Sequence, residues 1–195
     1  MGRVLVACPT HWGKEYALEE WASAYQAFTY PDREAFMVDN TDGTLAYLHT
    51  LHRAGVPARW LRRLPSFWDT IELCYWRILE RARERGCSHV CSIEADVICP
   101  PETLDVMLAH LGSDSLVSHR VPWRGPGSDG SGSGCWSIGC ALVTLGRLER
   151  TLETIADHIE GALFSPPGVE LDGLLDIRHL WSERDSEWDG GGEGK

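Results

Sequence analysis

The feature that most narrows the fold is an alternation between two kinds of segment. Short apolar runs trade places along the chain with longer stretches whose apolar residues recur every three or four positions. Arg3–Cys8 (RVLVAC) reads as a buried strand stopped by Pro9, and Ala35–Asp39 (AFMVD) as a second, ending in the turn-rich NTDG. His89–Ile93, Leu116–Ser118, Ser137–Thr144, Val169–Leu171 and Leu175–Ile177 continue the series. Between them, Lys14–Phe28 carries Leu18, Trp21, Tyr25 and Phe28 at helical spacing, and Asp69–Arg85 gathers Ile71, Cys74, Tyr75, Ile78, Leu79 and Ala82 on one face. Thr44–Ala54 stops at Gly55 and Asp69–Arg85 at Gly86, Pro101–Leu111 opens on a proline, and Leu148–Glu160 is helical by period. The pattern predicts an α/β fold: a single domain with a mostly parallel central sheet flanked by helices. Ligands of such sheets collect at the carboxyl ends of the strands, which selects Cys8–Trp12, Asp39–Asp42 and Glu94–Asp96.

A chain of 195 residues buries a full core as one domain. That domain is expected over 1–181, followed by an acidic, glycine-rich tail (182–195) whose composition predicts disorder. Pro122–Gly134, rich in glycine and serine, reads as a mobile loop that would serve as a lid or acceptor guide. The net charge of −11 argues against broad, sequence-independent nucleic-acid binding. It leaves open a phosphate-bearing substrate bridged by a divalent cation. No apolar run reaches the ~18 residues of a membrane span, and the run after Arg3 is too short for a signal peptide, so a cytoplasmic location is expected. Seven cysteines without a CxxC pair fit buried thiols in a reducing compartment better than zinc ligands. Nine tryptophans exceed what a core needs, and some are expected to line a groove for a flat or sugar-like ligand.

The segment HVCSIEADVICPPETLDVML is the most informative chemically. If the strand runs through Glu94-Ala95-Asp96, both carboxylates point to one side. Either they face solvent at a strand end, or they share a hard divalent cation such as magnesium or manganese. Elsewhere, Arg59, Arg62 and Arg63, with Trp60 and Trp68 nearby, read as a solvated helix face, with contact to an anionic acceptor as the alternative. His49 and His52 read as surface residues one helical turn apart. PTHWGK lacks the glycine spacing of a phosphate loop.

From VLVACPTHWGKE through AFMVDNTDG and EAD to DIRHLW, the chain resembles glycosyltransferases of the GT-A type, in the family-2-like group that includes short phage and archaeal members. The resemblance implies that Glu94 and Asp96 hold Mn²⁺ or Mg²⁺ on a nucleotide-diphosphate sugar, with Glu94 standing where aspartate is commoner. His179 would complete the metal site. Asp39 and Thr10 would bind the nucleoside of the donor, expected to be a UDP-sugar, and Arg77, followed here by Ile78 rather than asparagine, would contact the donor. GCWSIGCALVTLGRLER resembles the acceptor-side strand, with Trp136 as a stacking platform. Asp157 is the expected base of an inverting transfer, with Glu160, Glu170 and Asp172 as alternatives. The acceptor would be a hydroxymethylated pyrimidine in phage DNA or a glycan. A nucleotidyltransferase and a catalytically silent nucleotide-sugar-binding module are the competing readings.

Overall fold

β1 (Val4–Thr10) is apolar on both faces and therefore takes the interior of the sheet. In a computed structural model the chain is described over residues 2–111, 116–122, 136–154, 169–170 and 174–180, with backbone alone for 119–122, 136–138, 169–170 and 179. β1 pairs in parallel with β2 (Arg33–Asp39) on one side and with β4 (His89–Ile93) on the other, and β3 (Ala58–Trp60) adds in parallel outside β2. Beyond β4, β7 (Trp136–Thr144) runs antiparallel to both β4 and β6 (Leu116–Pro122), and β8 (Val169–Glu170) lies parallel to β6. Among the described residues the result is a seven-stranded sheet in the order β3-β2-β1-β4-β7-β6-β8, with β7 the one reversed strand. A separate antiparallel ribbon joins β5 (Val97–Ile98) to β9 (Arg178–His179).

Side-chain alternation divides the core in two. Val4, Val6 and Cys8 of β1 pack with Met37 and Ile93 against α1 (Leu18–Ala27), α2 (Ala46–Arg53) and α4 (Thr103–His110). Leu5 and Ala7 pack with Phe36, Val38 and Val90 against α3 (Phe67–Glu84) and α5 (Leu145–Thr154). Complete burial of a side chain such as Leu5 or Met37 is worth about 1.5–3 kcal/mol, so these two faces hold the layers together. Arg83 and Glu149 tie α3 to α5 through an ion pair.

Several boundaries differ from expectation for identifiable reasons. Pro9 does not stop β1, which continues to Thr10. Its missing N–H faces the β4 side, where pairing has already ended at Ala7–Ser92. Residues 12–17 form a 3₁₀ turn ahead of α1 rather than its first turns. Ser66 caps α3 by accepting from the Asp69 N–H at 3.2 Å, so the helix starts before Asp69. Arg59 lies on β3 and Arg62 and Arg63 on the irregular segment after it, not on a helix face. Leu175 and Ile177 are core anchors, and the strand begins just after them at Arg178. Cys8, Cys74, Cys87, Cys91, Cys99 and Cys140 are buried free thiols. The 123–135 stretch, the 182–195 tail, and Asp157, Glu160 and Asp172 lie outside the described residues.

Candidate active site at the carboxyl edge of the sheet

The strands β3, β2, β1 and β4 point their carboxyl ends the same way, and the polar residues of interest follow directly from those ends. Thr10 and Asp39 are cross-strand partners at the tips of β1 and β2. Both are buried, and Thr10 Oγ1 lies 3.3 Å from the Tyr47 hydroxyl. The Thr41 N–H donates to Asp39 Oδ1 at 2.9 Å, a tight turn in which the acid organises its own loop. Oδ2 of the same carboxylate has no hydrogen-bond partner among the described residues. Burial pushes the Asp39 acid above its ordinary range, with the Thr41 bonds acting against the shift. Thr41 also knits neighbouring loops together: its hydroxyl accepts from the Trp12 N–H at 2.8 Å, and its carbonyl accepts from Trp60 Nε1 at 2.9 Å.

The second acid differs from the sequence expectation in its backbone. β4 ends at Ile93, and Glu94–Val97 is a turn closed by the Val97 N–H donating to the Glu94 carbonyl at 3.0 Å. Strand alternation therefore does not orient the two carboxylates, and they do not face solvent as a pair. Glu94 is half-buried, whereas Asp96 is only 1% exposed. Lys14 Nζ sits 2.8 Å from Asp96 Oδ2, and the Tyr16 hydroxyl lies 3.3 Å from the same oxygen and 3.2 Å from the Leu180 carbonyl. The Leu180 N–H donates to the Asp96 carbonyl at 2.7 Å, and His179 is paired with Val97. The ribbon thus brings the backbone of His179 beside the residue that follows Asp96. The field of Glu94 and Asp96 adds to burial in raising the Cys8 thiol well above its usual value.

Lys14 is presented by the 3₁₀ turn. His11 Nδ1 accepts from the Gly13 N–H at 3.2 Å, and the Lys14 N–H donates to the His11 carbonyl at 2.9 Å. Burial, with the charges of Lys14 and Arg63, lowers His11 to about 3, so its ring is neutral at physiological pH. A Cβ on Gly13 would come within 2.7 Å of the His11 ring, which is why glycine stands there.

Arg77 is not brought to these groups. It lies ten residues into α3, about 15 Å along the axis from Phe67, and pairs with Glu80 at 2.7 Å. It lines a separate groove with His52, Arg59 and Arg81. Gly139 is buried and its carbonyl accepts from the Glu94 N–H at 3.1 Å, but the Trp136 side chain is outside the described residues. His49 and His52 are exposed, as the sequence suggests. Sequence reasoning missed Lys14, Tyr16 and Thr41. The one local signal was an acid two residues before a threonine, D-N-T, which favours a side-chain-to-backbone turn.

Among the described residues no three His, Cys, Asp or Glu side chains converge as a ready-made metal cage. Glu94 and Asp96 nonetheless supply hard oxygen donors. An ion of the magnesium class needs only one or two carboxylates when substrate phosphates complete its shell. The donor set fits such an ion carried in with a diphosphate.

No family model matches the chain, and no curated protein matches it by sequence. Solved structures do. A 4-diphosphocytidyl-2C-methyl-D-erythritol synthase superposes with a TM-score of 0.64 over 97% of each chain at 17% identity. A mannosyltransferase from Pyrobaculum calidifontis, in complex with GDP-Man and Mn²⁺, superposes with a TM-score of 0.55 at 17% identity over 76% of this chain and 46% of its own. The 1-349 portion of TarS from S. aureus, in complex with UDP-GlcNAc, gives 0.52 at 17% identity over 76% of this chain and 47% of its own. The fold is GT-A. The chain covers just under half of the mannosyltransferase and of the TarS 1-349 chain. In this GT-A domain the reversed β7 and the β5–β9 ribbon flank the Glu94–Asp96 turn, and the tips of β1 and β2 form the other half of the edge.

Proposed function

We propose that the protein is a metal-dependent glycosyltransferase that moves a sugar from a nucleotide-diphosphate donor, a UDP-sugar, to an acceptor hydroxyl. The observation that carries the reading is Asp96: a buried carboxylate held in the turn that follows a central strand, already matched with a cation, on the edge where α/β sheets bind ligands. Glu94, Asp96 and His179 would hold Mn²⁺ or Mg²⁺. The pairing of His179 with Val97 supports its membership. Bound there, the ion would offset negative charge on the leaving diphosphate.

Asp39 serves the nucleoside. Its buried Oδ2, without a hydrogen-bond partner among the described residues, suits a ribose hydroxyl or a base N–H, which would satisfy an atom that otherwise bears a desolvation cost. Thr10 flanks it. Exposed apolar side chains support an acceptor face on the same edge. Trp12 follows β1, Leu45 precedes α2, Phe67 and Trp68 open α3, and Leu174 precedes β9. The Phe67 and Trp68 rings meet edge-to-face at 5.1 Å, a platform for a sugar or base. Asp157 takes the acceptor proton. Asp157→Asn lowers transfer by about 10²–10⁴-fold at unchanged donor affinity, and a retained rate moves the role to Glu160, Glu170 or Asp172.

The cytidylyl synthase match, which covers 97% of both chains, favours nucleotidyl transfer as the second reading. Incubation with manganese and a panel of nucleotide sugars and nucleoside triphosphates separates them. Release of nucleoside diphosphate from a sugar donor supports glycosyl transfer, release of pyrophosphate from a triphosphate supports nucleotidyl transfer, and binding without turnover supports a silent module. No helix among the described residues is long and apolar enough to cross a membrane.

A further inference from the structure

We infer that Lys14 is a resident counter-cation of Asp96 that competes with a divalent ion for the same carboxylate, and so sets how much metal the site requires. The inference rests on the metal-dependent reading above and adds a residue to it. Lys14 Nζ lies 2.8 Å from Asp96 Oδ2, and the two side chains are 23% and 1% exposed. A carboxylate buried to that degree is held charged by a cation. With no metal bound, the ammonium fills that role. An ammonium and a divalent ion drawn to one oxygen repel each other in a part-buried setting, so one displaces the other.

The structure determines which partner yields. Asp96 is pinned: its side chain is buried, and its carbonyl accepts from the Leu180 N–H at 2.7 Å. Lys14 has a flexible four-carbon stem and partial access to solvent, so it is the more movable of the two groups. Its backbone stays in place because the 3₁₀ turn is fastened by the His11 cap and the Gly13 close approach. The lysine is therefore a tethered cation with a stationary anchor, able to vacate the acid and return to it.

The test is a manganese titration of the full chain by calorimetry, alongside thermal melts with and without the ion. Lys14→Met removes the competitor, and Mn²⁺ should bind about 10-fold or more tightly, the equivalent of releasing one charge-assisted hydrogen bond from competition. Its melting temperature should rise with Mn²⁺ by more than that of the wild type, because the ion replaces the lost partner of Asp96. If Lys14→Met does not fold without metal, Lys14→Gln removes the charge while keeping a hydrogen-bond donor, and the same tightening is expected. Unchanged or weaker Mn²⁺ binding in both variants overturns the competition. Asp96→Asn separates that failure from a failure of the metal reading. If Asp96→Asn abolishes Mn²⁺ binding while the Lys14 variants match wild type, only the competition falls. If Asp96→Asn titrates like wild type, both fall.

Discussion

Asp39 and Asp96 are buried to the same degree, 0% and 1% exposed, at neighbouring points on one edge of the sheet, yet they accommodate burial in opposite ways. Asp39 is served by the backbone N–H groups of Thr41 and Leu48 and by no cation within hydrogen-bonding distance in the described structure, and its acidity is weakened by burial. Asp96 has a lysine ammonium 2.8 Å away. The contrast teaches that burial alone does not assign a role. An acid whose neighbours are backbone N–H groups suits neutral donors such as hydroxyls and ring N–H groups. An acid with a movable cation suits exchange for another cation.

The largest expected effect breaks the Asp96 side. Asp96→Asn should lower transfer by about 10²–10³-fold, the range for losing one electrostatic stabiliser in a site, as read by nucleoside diphosphate release. An unchanged rate would make Asp96 a structural ion-pair partner and erase the distinction from Asp39.

The next tests the frame that presents Lys14. His11 is lowered from 6.5 to about 3, so the stability it contributes is present above 6.5 and is lost as pH falls from there toward 3. Within that window unfolding free energy should drop by about 1.4 kcal/mol per pH unit. His11→Asn keeps an acceptor for the Gly13 N–H and should flatten the slope; urea melts at about pH 7 and pH 4.5 compare the two proteins. Equal slopes would mean that His11 is not buried in its neutral form.

Gly13→Ala should cost about 1–3 kcal/mol, because its Cβ would lie 2.7 Å from the His11 ring and the turn must shift. A melt within error of wild type would show that the ring moves aside freely.

The smallest effect sharpens the Asp39 side. Its raised pKa means that the stability linked to protonation is complete below the ordinary aspartate range and is lost as pH rises through the folded value. Asp39→Asn should therefore stabilise the fold near pH 7, with the gain vanishing below the ordinary aspartate range, while nucleotide affinity falls. A destabilised variant at neutral pH would show that the charged form is satisfied in the folded chain.

Legibility followed the range of the interactions involved. β4 and the buried face of α3 were readable because a two-sided apolar run and a 3.6-residue period are local properties. Asp39 was readable because it ends such a run. β3 was not, since a three-residue edge strand has no period to detect. The end of β4 at Ile93 was readable, but the turn at Glu94–Val97 was not, because its closing bond leaves no mark in residue type. Lys14 and Tyr16 reach Asp96 across 82 and 80 positions, and no spacing rule links residues that far apart. Arg77 stood in a matching sequence context, but its place along α3 carries it away from the edge.

The ribbon of β5 and β9 has a consequence for the order in which the protein is made. The Leu180 N–H that donates to the Asp96 carbonyl belongs to a segment synthesised roughly 80 residues after that acid, about 4–16 s later at ordinary translation rates. Lys14 and Tyr16 have by then already left the ribosome. A nascent chain halted before Arg178 leaves β5 without its partner strand, so the turn bearing Asp96 is completed by one of the last described segments to emerge.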